Sequence, residues 1–173
     1  MPTVAIRHEL GTIVGVGIVA SIIFAAFEMF AAAILMGPAA AMMPLRMIGA
    51  MVLGPAALNP GYSLAVAATA GIVIHVALSI LFTAMFAWIL VAVETTTTGD
   101  LLAAPGRLML TGMMFGLALW LVNFYIIAPV AWRWFPERTN AFVQLVAHTV
   151  FFGAPVGAML ERSRAVMPSR FDH

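Results

Sequence analysis

Four long apolar segments constrain the fold of this chain more than any other feature. A helix that crosses a lipid bilayer needs about 20 consecutive apolar residues, and four segments of the chain meet this requirement. They run from about residue 10 to 36, 63 to 93, 107 to 128 and 140 to 160. The sequence therefore predicts an all-α integral membrane protein, built as a bundle of four transmembrane helices.

The composition agrees with this prediction and argues against other classes of protein. Of the 173 residues, 64% are hydrophobic and 9% are charged, whereas soluble domains carry roughly 25% charged residues. The net charge is +1 and the basic residues are scattered, so we expect no nucleic-acid partner. Cysteine is absent, which excludes disulfides and thiolate ligands. We predict one transmembrane domain over residues 1–173, surrounded by membrane lipids.

The stretch between the first two spans is apolar but interrupted by prolines. It covers about residues 38 to 58 and is too short and too often broken to cross the membrane. We predict that it forms a short re-entrant or interfacial helix at one end of the bundle. The prolines of this stretch and its end are Pro38, Pro44, Pro55 and Pro60.

The arginines predict the orientation in the membrane. Four spans place both termini on the same side, and cytoplasmic loops carry an excess of positive charge. Arg7, Arg107, Arg162, Arg164 and Arg170 fall on the side of the termini, and Arg46, Arg133 and Arg138 on the other. Cytoplasmic termini are therefore expected. Arginine without any lysine, together with abundant alanine, suggests a bacterial inner membrane.

Six polar side chains lie within or beside the predicted spans. Such groups are costly inside a membrane and usually face the interior of the bundle. At about 1.5 Å of rise per residue, those of all four spans fall in the half of the bilayer away from the termini. We predict that they form one polar layer, made of Glu28, His75, Asn123, Tyr125, Gln144 and His148.

This polar layer is compatible with several roles. Its members could hydrogen-bond each other and hold the helices in register. His75 and His148 could instead ligate one b-type haem, or bind a metal ion together with Glu28. The layer could also conduct protons or small solutes. No catalytic motif is present, so the chain is not expected to be an enzyme.

A group of methionines follows the end of the first span. Thioether sulfurs are suitable ligands for Cu(I), but methionine is also a flexible side chain that fills gaps at apolar contacts. Because apolar packing demands no special spacing, we favour the second interpretation. The group consists of Met36, Met42, Met43, Met47 and Met51.

Three pairs of glycines with G-x-x-x-G spacing indicate close helix packing. The pairs are Gly11 with Gly15, Gly112 with Gly116, and Gly153 with Gly157. The second pair shares a face with Asn123 and should point inward. The other two could meet helices of the same bundle or another subunit. The leading hypothesis is a non-enzymatic accessory or structural subunit, which packs against other membrane proteins or copies of itself; the alternative is a haem-binding, metal-binding or conducting bundle.

Overall fold

The computed structural model describes residues 10–96 and 104–166, and these residues form helices and no strands. Arg7, Arg170 and residues 97–103, which connect the second and third predicted spans, lie outside the described residues. Two short 3₁₀ turns, Pro38–Ala40 and Pro55–Leu58, flank the second helix. The helices are α1 (Leu10–Met36), α2 (Met43–Leu53), α3 (Leu64–Thr96), α4 (Arg107–Ala131), α5 (Trp134–Arg138) and α6 (141–166).

Four of these helices are long and apolar enough to cross a membrane, which confirms the prediction of four such segments. Their apolar parts are Leu10–Met36, Leu64–Val93, Arg107–Ala131 and Ala141–Ser163. The last two continue about three residues beyond the predicted ends. Helix α2 lies within the proline-interrupted stretch, as predicted, and is too short to cross a membrane.

Helix α1 lies between α3 and α6 and is antiparallel to both. Toward α3, the Ser79 hydroxyl donates to the Gly17 carbonyl over 2.7 Å, and the His75 ring contacts the Ser21 carbonyl. Toward α6, the Phe24 ring packs edge-on against Phe152 at 6.4 Å between ring centroids. In both pairs, residues later in α1 meet residues earlier in the other helix.

Backbone contact between glycines joins α4 to α6. A Cβ atom placed on Gly112 would lie 2.2 Å from the Gly153 carbonyl oxygen. Similarly, one on Gly116 would lie 2.1 Å from the His148 carbonyl oxygen, and one on Gly157 2.1 Å from that of Leu108. No side chain fits at these positions, so both glycine pairs pack inside the bundle.

The first glycine pair behaves differently. Among the described residues, a Cβ atom placed on Gly11 or Gly15 would meet no atom of a neighbouring segment within 4 Å. These two glycines therefore have room for side chains and make no close helix contact within the described residues.

Helix α2 packs tightly against the beginning of α3. A Cβ atom on Gly49 would lie 2.0 Å from the Ala67 carbonyl oxygen, and one on Gly71 2.0 Å from that of Leu45. The Trp132 indole nitrogen also donates to the Met51 carbonyl over 3.0 Å. These contacts hold α2 against one end of the bundle. This is the end at which α1 is connected to α3, and α4 to α6.

Two stretches of wider, π-helical turns interrupt α4 and α6, at Asn123–Ile127 and Ala147–Gly153. Each ends two residues before a proline, Pro129 or Pro155. Proline has no N–H group, and its ring clashes with the carbonyl four residues earlier. A wider turn in that position accommodates the clash. Pro155 also predicts a bend in this helix from the sequence alone, and it lies two residues after the end of such a stretch.

The outer faces of the long helices are apolar. Trp88 of α3 is 70% exposed and Val130 of α4 is 84% exposed. Large aliphatic side chains such as Ile22 and Ile34 are likewise exposed along α1. The buried core instead contains Val16, Phe24, Phe86, Leu90, Leu108 and Leu160. Helices that are apolar on all sides are typical of membrane spans.

Candidate ligand-binding cavity

A cavity of about 520 Å³ lies between the helices at the end of the bundle that α2 covers. It reaches from the middle of α3 to the C-terminal ends of α1 and α4 and the N-terminal part of α6. Most of its wall is hydrocarbon, including the side chains of Phe24, Met47, Ile48, Phe82, Phe124 and Phe135. The cavity therefore offers an apolar space of the size that small-molecule sites have.

The structure brings five of the six residues predicted for the polar layer to this one cavity. They are Glu28, His75, Asn123, Gln144 and His148. Tyr125 is not among them: its side chain is 54% exposed, and its ring packs against Trp120 and Phe124. Because it follows Asn123 by two residues, it lies on another face of α4.

A short hydrogen bond joins two of the buried polar side chains of this wall, Glu28 and Gln144. The Gln144 amide donates to Glu28 Oε1 over 2.5 Å, and both residues are almost inaccessible to solvent. Asn140 begins the helix that carries Gln144, since its side chain accepts hydrogen bonds from the amides of Phe142 and Val143. Such a cap satisfies the first backbone donors of a helix.

Each histidine uses one ring nitrogen to bind a backbone carbonyl. His75 Nε2 lies 3.1 Å from the Ser21 oxygen, and His148 Nδ1 lies 2.8 Å from the Gln144 oxygen. A carbonyl only accepts, so these nitrogens carry the protons. In the neutral rings, His75 Nδ1 and His148 Nε2 are therefore acceptors. Neither has a hydrogen-bond partner among the described residues.

Phe24 links the two histidines, although the sequence did not single it out. Its ring centroid lies 5.0 Å from that of His75 and 5.0 Å from that of His148. Phe24 lies one helical turn before Glu28 on α1, so it faces the same side of the helix. The two imidazoles and the carboxyl thus border one aromatic side chain.

The haem and metal hypotheses can be compared with this arrangement. Within residues 10–96 and 104–166, no group of three or more His, Cys, Asp or Glu side chains is close enough to hold a metal ion. The carbonyl-bonded histidines resemble metal ligands in one respect, because such ligands commonly donate their other N–H to a carbonyl. However, Phe24 occupies space that adjoins both imidazoles. The geometry therefore favours neither a three-ligand site nor a shared iron.

Four of the five predicted methionines also line the cavity. Met43, Met47 and Met51 come from one face of α2, and Met36 comes from the end of α1. Met42 does not line it. Flexible thioether side chains can adapt an apolar wall to different shapes, and this agrees with their interpretation as an adaptable packing surface. Copper binding stays an untested hypothesis.

The π-helical turns bear two of the polar residues. Asn123 begins the stretch in α4, and His148 is the second residue of the stretch in α6. Wider turns of this kind are frequent at functional sites. They change the direction of the side chains that follow, and the only sequence signal for them is a proline shortly after each stretch.

Comparison of the chain with protein-family models, with curated proteins and with solved structures finds no match.

Proposed function

We propose that this chain is a multi-pass membrane protein that binds a lipid-soluble small molecule in the cavity between its helices. The observation that carries this proposal is a 520 Å³ space with apolar walls and one cluster of polar side chains. Ligand sites are typically 300–1,000 Å³ in volume, mostly apolar, and contain a few polar groups that orient the ligand. All three properties hold here.

The location of the polar cluster supports a binding role over a purely structural one. Ionisable side chains inside a span commonly mark a functional site, and Glu28 and His148 belong to the apolar parts of α1 and α6. A purely structural layer would satisfy its polar groups internally. Here His75 Nδ1 and His148 Nε2 have no described protein partner and belong to residues that line a cavity.

The rim of the cavity indicates how a lipid-soluble molecule would reach it. Leu35 and Met36 of α1 and Ile127 of α4 line the cavity and are also exposed on the outside of the bundle. In a bilayer, these residues would face lipid. If the arginine distribution sets the orientation, the cavity lies in the non-cytoplasmic half of a bacterial inner membrane.

Filling the cavity should abolish ligand binding. Ala32 lines the cavity, and the substitution Ala32→Phe would place an aromatic ring in it. We expect the wild-type protein, purified in mild detergent, to carry a small molecule in native mass spectrometry, and the A32F variant to lack it. The mass would also reveal a haem or a metal ion, so the same spectrum tests those alternatives.

Ala26→Phe is the matched control, because Ala26 lies on the same helix, is exposed, and does not line the cavity. The A26F variant should keep the bound molecule. Circular dichroism and size-exclusion chromatography establish that both variants are folded. An identical bound mass in A32F and A26F would contradict the proposal.

A second candidate function is that of an accessory or structural subunit, and the open face of α1 favours it. Gly11 and Gly15 have the spacing of a close helix contact but no close neighbour in the described residues. The four remaining glycines of this type are already engaged within the bundle. A helix of another subunit, or of a second copy, would fit against this face.

Substitution of Gly15 tests this second candidate. We expect the wild-type protein in mild detergent to form a particle larger than one copy, and Gly15→Leu to reduce its mass in light-scattering measurements. Val73→Leu is the control, because Val73 is a large exposed side chain of α3 and lies outside this face of α1. A monomeric wild-type particle without associated proteins would contradict the accessory role and leave the ligand-binding proposal intact.

A further inference from the structure

We infer that the ligand of this cavity is a lipid-soluble molecule whose head group is a hydroxylated aromatic ring, with an apolar tail. This inference rests on the ligand-binding function proposed above and specifies the chemical class of the ligand. Three features of the cavity lead to it: the acceptors on its polar wall, the aromatic side chains around them, and the apolar rim.

The polar wall requires a head group that donates hydrogen bonds. The bonds to Ser21 and Gln144 leave an acceptor nitrogen on each neutral imidazole. Glu28 Oε1 receives the Gln144 amide, which leaves Glu28 Oε2 without a partner among the described residues. Two acceptor nitrogens, and Glu28 Oε2 when the carboxyl is ionised, thus belong to residues that line one cavity. A hydroxyl group can donate its one proton to one of these acceptors, whereas an ether has no proton to donate.

The surroundings of these acceptors fit a flat ring. Phe24 packs against both imidazoles, and Phe124 and Phe152 line the same cavity. Aromatic rings pack favourably against one another in edge-to-face and offset arrangements. A phenol-like head could therefore place its hydroxyl near the acceptors and its ring against the phenylalanines. A metal ion alone would use little of a 520 Å³ space.

The apolar rim fits a hydrocarbon tail. From the polar wall, the cavity reaches Leu35, Met36 and Ile127, which are exposed outside the bundle. A hydrocarbon tail that extends past these residues would enter the lipid, so it would stay in an apolar environment along its whole length. The head group would then determine how specifically the cavity selects its ligand.

A pair of probes that differ in one proton donor tests the head group. We would measure binding of 4-nonylphenol and of its methyl ether, 4-nonylanisole, to the protein in lipid nanodiscs, with empty nanodiscs subtracted. The phenol hydroxyl can donate one hydrogen bond, whereas the ether leaves the same buried acceptor without a donor, and both effects favour the phenol. We expect the phenol to bind about tenfold more tightly than the ether, which corresponds to about 1.4 kcal/mol.

Substitution of a histidine locates the acceptor. His148→Phe removes Nε2 and keeps an aromatic ring of similar shape, so it should reduce the preference for the phenol several-fold and change binding of the ether little. Trp88→Phe is the control, because Trp88 lies on the outer face of α3 and does not line the cavity. The wild-type comparison of phenol and ether needs no variant, so it holds even if H148F fails to fold.

The outcomes distinguish the two levels of the proposal. A tenfold preference that H148F weakens supports both. Equal binding of phenol and ether would overturn the head-group inference and leave the ligand-binding function standing. Tighter binding of a dodecylammonium probe than of the phenol would also overturn it, since the head would then be a cation. No binding of any probe above empty nanodiscs would overturn both.

Discussion

Replacement of Gly153 with leucine is expected to unfold the bundle or to reduce its stability by about 3 kcal/mol or more. A Cβ atom at this position would lie 2.2 Å from the Gly112 carbonyl oxygen and 3.1 Å from the Met113 Cα atom. Both are backbone atoms, so no side-chain rotation relieves the clash. Helices α4 and α6 would have to separate, and the π-helical turn that carries His148 would move with them.

The measurement is the temperature at which the detergent-solubilised protein loses its monodisperse size-exclusion peak. Gly61→Leu serves as control, because a Cβ atom at Gly61 meets no other described segment within 4 Å and Gly61 does not line the cavity. We expect G61L to behave like the wild type and G153L to lose most of its folded fraction. Equal stability of G153L and G61L would mean that α4 and α6 do not pack through their glycines.

The four long helices could be predicted from the sequence because their physical requirement is local. A span must be apolar over its whole length, and this property is visible in the chain without knowledge of its neighbours. The inward packing of Gly112 and Gly116 was predictable for a similar reason, since a helix has a fixed angular period. The sequence did not predict which helix Gly153 and Gly157 would contact, because that contact depends on how the helices are arranged.

The residues of the polar layer were predictable from depth, because the rise per residue of a helix is fixed. The sequence did not show which of them would bond to each other. Glu28 binds Gln144, and both histidines bind backbone carbonyls. A backbone carbonyl is present at every residue, so no sequence pattern distinguishes the one that a side chain will reach.

The cavity itself was not predictable. Residues of the widened turns before Pro129 and Pro155 line it, together with residues of α2, which contacts α3. Those contacts depend on Gly49 and Gly71, which have no characteristic spacing in the sequence. The position of Tyr125 was also not predictable from its place in the sequence. It is close to Asn123 in the chain, but its side chain points away from the cavity and is exposed.

Cysteine labelling in intact cells tests most directly whether these helices cross a membrane around the cavity. The natural chain has no cysteine, so every introduced cysteine is a unique reporter. Ile22 is 61% exposed and Leu81 57% exposed near the middle of α1 and α3, whereas Asn59 and Glu137 are exposed in the connections at the cavity end. Arg162 is exposed at the opposite end.

With a membrane-impermeant maleimide, we expect labelling of Asn59→Cys and Glu137→Cys in intact cells. Arg162→Cys should react only after the membrane is permeabilised, which would place the cavity in the outer half. Ile22→Cys and Leu81→Cys should stay unlabelled until the protein is denatured in detergent, although both side chains lie on the outside of the bundle. Rapid labelling of these two cysteines without detergent would contradict the account, because exposed residues in the middle of a span must face lipid and not water.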